Sequence, residues 1–114
     1  TLHCPLTEKS KNLINKETLS FMKKSAILIN AARGGVVDTE ALADSLNNGK
    51  ISGAGIDVFE TEPPLDINHP LLKTPNTIVT PHIAFATKES MEKRAEIVFE
   101  NINQFLAGNH INKV

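Results

Sequence analysis

The sequence predicts an α/β fold: a parallel sheet with flanking helices. Three observations carry this. Short apolar runs alternate with helical patterns along the chain, the order expected of βαβ units. The apolar runs lack in/out alternation, which predicts strands covered on both faces. Aromatic side chains are few, five Phe with neither Trp nor Tyr in 114 residues, so the core has to be aliphatic.

The elements follow in order. Thr1-Leu2-His3-Cys4 reads as the tail of a strand already under way. With Thr rather than Met at position 1, it predicts a chain cut on that side. Asn15 is the candidate N-cap of a short helix over Lys16–Lys23. Ala26–Ala31 is the strongest strand. Asp38 is the candidate cap of a helix through Ala41, Leu42 and Leu46, which Asn48-Gly49 ends with a left-handed residue. Ser52–Val58 is the second strand. Thr61–Pro75 holds four of the six prolines, so it is a loop with at most a short turn at Leu71-Leu72. Thr77–Thr80 is the third strand. A long helix is expected within 87–108, capped by Thr87 and ended by Gly108. Its Met91, Ala95, Val98, Ile102 and Phe105 step by four and three and make one apolar stripe.

Composition narrows the function. Twelve Lys and Arg against thirteen Asp and Glu give a net charge of −1, so no basic excess exists to drive nucleic-acid binding. No apolar run approaches the ~18 residues of a membrane span. One cysteine, Cys4, rules out an internal disulfide and a cysteine-based zinc site and suits a reducing, cytoplasmic setting. His3, His69 and His110 share no spacing with His82 that would build a metal site, so no metal is expected.

Parallel α/β sheets bind ligands beyond the carboxyl ends of their strands. Three such ends carry polar residues here. After the first strand comes Ala32-Arg33-Gly34-Gly35. The small residues suit a sharp turn and close approach to a ligand, and Arg33 can clamp a carboxylate through two parallel hydrogen bonds. By spacing alone, an arginine there is more often a surface residue in an ion pair. After the second strand, Asp57, Glu60 and Glu62 lie within six positions. Any one of them is otherwise an ordinary loop or capping carboxylate. After the third, His82 follows Pro81 and suits proton transfer near neutral pH, although a lone His is more often structural. Together, a cation, carboxylates and an imidazole suit redox chemistry at an oxygen-bearing carbon next to a carboxylate. Gly53-Ala54-Gly55 begins like a dinucleotide fingerprint. Val58 stands where the third glycine belongs, though, and the run lies inside a strand. These glycines are expected to serve close packing in the sheet, and the chain has no G-x-G-x-x-G.

Four segments in order and in register resemble the C-terminal part of a D-isomer-specific 2-hydroxyacid dehydrogenase. They are Leu2-His3-Cys4-Pro5-Leu6-Thr7, the run from Leu28 to Asp38 (LINAARGGVVD), Gly55 to Pro63 (GIDVFETEP), and Thr80-Pro81-His82-Ile83-Ala84. The resemblance implies the second half of a Rossmann NAD-binding domain plus the long C-terminal helix, with no substrate domain in residues 1–114. It implies reversible reduction of a 2-keto acid to a D-2-hydroxy acid with NAD, NADP being the alternative. Arg33 matches the arginine that holds the substrate carboxylate and carbonyl oxygen. His82 matches the acid/base. Glu62 matches the carboxylate paired with that histidine, a pairing that would raise the imidazole pKa. His3, Cys4, Pro5, Ser10, Ala31, Ala32, Arg33, Asp57, His82 and Ala84 match positions along the cofactor, with Asp57 near the nicotinamide carboxamide. Phe85 falls where some glyoxylate, hydroxypyruvate and glycerate-type members carry an aromatic.

The family's glycine fingerprint and cofactor-selecting residue are not in these residues, and Asn109–Val114 reads as the natural end of the chain. The expectation is therefore a fragment that is inactive alone and has no measurable NADH affinity. Its partners would be the missing N-terminal part of the same protein, a small 2-hydroxy or 2-keto acid, and a second subunit in a homodimer. An exposed sheet edge would make it prone to associate. Two other classes fit the same residues: an NAD-sensing binding module like the corepressors that resemble this family, and a small α/β domain without catalysis.

Overall fold

The computed structural model describes residues 1–61 and 65–112. They fall into two units, Thr1–Ile83 and Ala84–Val114, each described by itself.

The first unit is built on three parallel strands in the order β1 (Ile27–Asn30), β2 (Gly53–Ile56) and β3 (Thr77–Val79). All three lie inside the predicted apolar runs. Leu2 forms a further parallel bridge to Asn30, with its N–H donating to the Ile29 carbonyl at 3.0 Å. The opening residues therefore run along the outer edge of β1 in the strand direction, as a strand tail would.

Helix α1 (Lys16–Ser20) begins in a capping box. The Asn15 side chain accepts from the Glu17 and Thr18 N–H groups at 3.0 and 3.1 Å, and Thr18 Oγ1 accepts the Asn15 N–H at 2.8 Å. The helix stops at Ser20, short of the expected Lys23. Phe21 and Met22 donate to the carbonyls of Thr18 and Leu19, bonds of three-residue span that tighten the last turn. Leu19 is the buried residue of this helix, and Met22 packs against the core from beyond its end.

Helix α2 (Thr39–Asn47) starts where Asp38 accepts the Ala41 N–H at 3.0 Å. It ends in a Schellman motif: Gly49 takes φ +62°, and Lys50 N–H donates to the Ser45 carbonyl at 2.8 Å. The long Thr61–Pro75 segment contributes one 3-10 turn, Pro70–Leu72. Leu19, Leu28, Leu42, Leu46, Ala54, Ile56 and Leu71 form one core that joins both helices and this turn to the sheet.

Coverage of the sheet differs from expectation. Leu28 and Asn30 are buried at 4% and 1% exposure, whereas Ile27, Ile29 and Ile78 are exposed at 64%, 40% and 74%. The register sets Ile29, Gly55 and Ile78 side by side, so these residues share one open face. The strands are apolar on both sides, which removes any alternation from the sequence, yet the core of this unit lies on one side only.

In the second unit, α3 (Lys88–Leu106) is capped by Thr87 Oγ1, which accepts the Ser90 N–H at 3.1 Å. Gly108, at φ +81°, closes it. No residue of α3 is buried, and the stripe residues Met91, Val98, Ile102 and Phe105 are 44–65% exposed. Among the described residues no helix is long and apolar enough to cross a membrane.

Candidate active site

Because the three strands are parallel, their carboxyl ends share one edge of the sheet. The segment through Leu2 runs the same way, so His3, Cys4 and Pro5 leave toward that edge as well. Beyond β1, buried Asn30 staples the turn that presents Arg33. Its Nδ2 donates to the Arg33 carbonyl at 3.0 Å, and its Oδ1 accepts the Ala32 N–H at 3.1 Å. Arg33 itself is exposed, and its Nη1 donates back to the Ala32 carbonyl at 2.7 Å. The guanidinium is thus held near its own turn with donors to spare for an anion.

The sharp turn expected at the glycines after Arg33 forms as a 3-10 helix over Gly34–Val36, but the close approach at Gly34 is not to a ligand. Neither has a positive φ. A Cβ on Gly34 would fall 1.9 Å from the Phe59 carbonyl carbon and 2.4 Å from the Glu60 nitrogen. It is the chain's own backbone, crossing from the end of β2, that requires the glycine.

Beyond β2, Asp57 is 5% exposed and gathers the third strand end. Its N–H donates to the Asn30 carbonyl at 2.9 Å, and its own carbonyl accepts the His82 N–H at 2.8 Å. Its Oδ1 accepts both the Thr80 hydroxyl and, at 2.8 Å, the Ile83 N–H. His82 is half-buried and has φ +56°, an uncommon conformation for a residue other than Gly or Asn. The buried carboxylate therefore works as the anchor of the His82 loop. Sequence alone marked Asp57 only as one of three carboxylates, and by resemblance as a cofactor neighbour.

Glu60 ties the following loop to α2. Its two oxygens take the Thr39 hydroxyl and the His69 Nε2–H, the latter at 3.2 Å. The His69 ring meets Phe59 edge-on with centroids 5.0 Å apart. Glu62, with Pro63 and Pro64, lies outside the described residues, so its expected pairing with His82 has no geometry here. Ser10 is engaged within its own turn: its hydroxyl donates to the Pro5 carbonyl at 2.6 Å and accepts the Thr7 N–H at 2.8 Å. It closes the loop that carries His3, Cys4 and Pro5. Cys4 is half-buried with a free thiol. Ala84 opens the second unit.

Arg33, Asp57 and His82 are thus brought to one sheet edge, with His3–Pro5 and Ala31–Ala32 leading along it. Asn30 and Thr80 are the residues that sequence inspection passed over. Their one signal was a polar side chain closing an apolar strand, a place where the last ladder groups need partners.

The donor set fits the nicotinamide end of a dinucleotide. Exposed Ala31 and buried Ala32 offer backbone without bulk, beside a cation and an imidazole. It offers no cradle for the pyrophosphate at Gly53. A Cβ at Gly53 would meet the Asn76 carbonyl oxygen at 2.8 Å, so the chain itself fills that space, whereas at Gly55 it would meet only Ile29 Cδ1, at 3.0 Å, on the open face. The expectation of close packing is met at Gly53.

The family profile described as D-isomer specific 2-hydroxyacid dehydrogenase, NAD binding domain, matches residues 1–84. The chain belongs to this family. It is 51% identical to the glycerate dehydrogenase of Methylorubrum extorquens, over 100% of this chain and 37% of that protein. It is 52% identical to the glyoxylate reductase of Thermofilum pendens, over 95% of this chain and 32% of that protein. Among solved structures, D-lactate dehydrogenase with NAD+ from Lactobacillus jensenii superposes with a TM-score of 0.85 at 37% identity, covering 99% of this chain and 38% of that one. A D-lactate dehydrogenase from Aquifex aeolicus, complexed with NAD and lactic acid, gives 0.81 at 39% identity, covering 95% and 37%. The fold is accordingly part of a Rossmann NAD-binding domain. The chain spans about a third of the length of these dehydrogenase relatives.

Proposed function

We propose that these residues are the acid/base half of the cofactor domain of an enzyme that reversibly reduces a 2-keto acid to a D-2-hydroxy acid. The observation that carries it is geometric. Three successive parallel strands deliver Arg33, Asp57 and His82 to one edge, and the His82 backbone is held there in a left-handed conformation. The names of the relatives, glycerate dehydrogenase and glyoxylate reductase, make small 2-oxo acids the first substrates to try.

When bound, the nicotinamide supplies the hydride. The chain's own residues do the rest. Arg33 binds the substrate carboxylate and polarises the keto oxygen. Two N–H donors of a planar fork fix the substrate's orientation as well as its charge. His82 gives a proton to the keto oxygen during reduction and takes the hydroxyl proton during oxidation. Glu62, by its match to the family motif, is the carboxylate partner assigned to that imidazole. Asp57 anchors the loop that bears His82. Ala31, Ala32 and the His3–Pro5 segment border the nicotinamide, and Ser10 keeps that segment folded. The pyrophosphate site and the domain that closes over the substrate belong to the rest of a longer polypeptide, which acts as a homodimer in a reducing compartment.

The test is kinetic and uses that longer polypeptide. His82→Gln is expected to lower kcat by ~10²–10⁴-fold. Arg33→Lys keeps the charge and loses the fork, so KM for the keto acid rises. Wild-type turnover in His82→Gln would remove the acid/base assignment. Unchanged KM and kcat in Arg33→Lys would remove the carboxylate clamp.

A further inference from the structure

The third strand end holds more order than a histidine in a loop requires. Thr80 leaves β3 with its N–H on the Ile56 carbonyl at 3.0 Å, which extends the ladder by one bond. Its hydroxyl then turns to Asp57 Oδ1. The same oxygen takes the Ile83 N–H at 2.8 Å. The residue between, His82, donates its own N–H to the Asp57 carbonyl, also at 2.8 Å. Donors from residues 80, 82 and 83 thus converge on one nearly buried aspartate.

We infer that Thr80 is a positioning residue for His82, acting through Asp57. It rests on the acid/base assignment given above. The physical argument starts from the φ of +56° at His82. That conformation is uncommon for a non-glycine residue and is held by the contacts around it. Here the bracket is the pair of amide bonds at residues 82 and 83, and both end on Asp57. A carboxylate that is 5% exposed has few donors available, and each one restricts its rotation. The Thr80 hydroxyl is a side-chain donor that holds Oδ1 where Ile83 can reach it. The sign of φ decides the side on which Cβ leaves the backbone, so the bracket sets where the imidazole starts from. A polar group that never meets substrate thereby governs the placement of one that does.

Thr80→Val tests this with little change of shape, since it replaces a hydroxyl by a methyl. Two measurements on Thr80→Val and Thr80→Ser separate positioning from bulk stability. In the complete dehydrogenase, amide hydrogen exchange should accelerate at His82 and Ile83 in Thr80→Val, while Leu42 and Ile56 stay protected. In the complete dehydrogenase, Thr80→Val should lower kcat by about 10- to 100-fold, the scale of a misplaced catalytic group. It should also move the pH profile of kcat/KM and leave KM for the keto acid near its original value. Thr80→Ser restores the hydroxyl and should restore rate, profile and exchange together. Exchange that rises everywhere, or a rate loss with an unmoved pH profile, would make Thr80 merely structural and overturn the inference. His82→Gln run alongside distinguishes the two levels. If it abolishes turnover while Thr80→Val behaves as wild type, positioning by Thr80 fails and the acid/base assignment stands. If His82→Gln turns over normally, that assignment fails and the positioning claim falls with it.

Discussion

Leu28 and Ile29 are neighbours on β1, both aliphatic, and are 4% and 40% exposed. The same contrast runs across the sheet. Leu28, Ala54 and Ile56 meet the core built with α1, α2 and the 3-10 turn, while Ile27, Ile29 and Ile78 do not. The two faces have the same chemistry and different neighbours. An apolar residue states a preference for burial, and the covering element decides whether that preference is met. A run that is apolar on both sides therefore predicts a strand well and its coverage poorly.

Substitutions can break or sharpen this contrast. The largest effect is expected at Gly34, where an added Cβ meets backbone at 1.9 Å. Gly34→Ala should destabilise at or above the ~3 kcal/mol upper end of ordinary overpacking, read as a drop in the urea midpoint. A smaller drop would mean that the Phe59–Glu60 crossing can withdraw. Next is Leu42, fully buried at 0% exposure. Leu42→Ala should cost about 2–5 kcal/mol through lost contacts and the cavity left behind. The smallest effect is expected at Ile27, 64% exposed on the open face. Ile27→Thr keeps the β-branched shape and should stay within about 0.5 kcal/mol. If it costs as much as Leu42→Ala, and the cost depends on protein concentration, the open face is covered by association in solution and the contrast disappears.

The carboxyl edge shows a similar division between what residues announce and what they do. Arg33 and His82 stand out in the sequence because their side chains are chemically capable. Asn30, Asp57 and Thr80 look ordinary, yet they hold the backbone of the other two. Gly34 looked like room for a ligand and proved to be room for the chain itself. The caps were fully legible. Asn15, Asp38 and Thr87 each accept a nearby N–H, because a cap depends on residues only two or three positions away. The end of α1 was less legible, since the chain tightens into three-residue-span bonds at Phe21 and Met22 while Met22 still packs on the core.

The sequence by itself determined the strands, the helices, their caps and the parallel α/β order, because hydrophobic runs and capping side chains act over a few residues. Through its resemblance to the dehydrogenase family it also nominated Arg33, Glu62 and His82 for the proposed keto acid reduction. Only the tertiary structure decided which sheet face is buried, why Gly34 is glycine, and that Asp57 collects the donors of residues 80, 82 and 83. The last two depend on segments more than twenty residues apart meeting at one point. Spacing along the chain carries no record of such meetings.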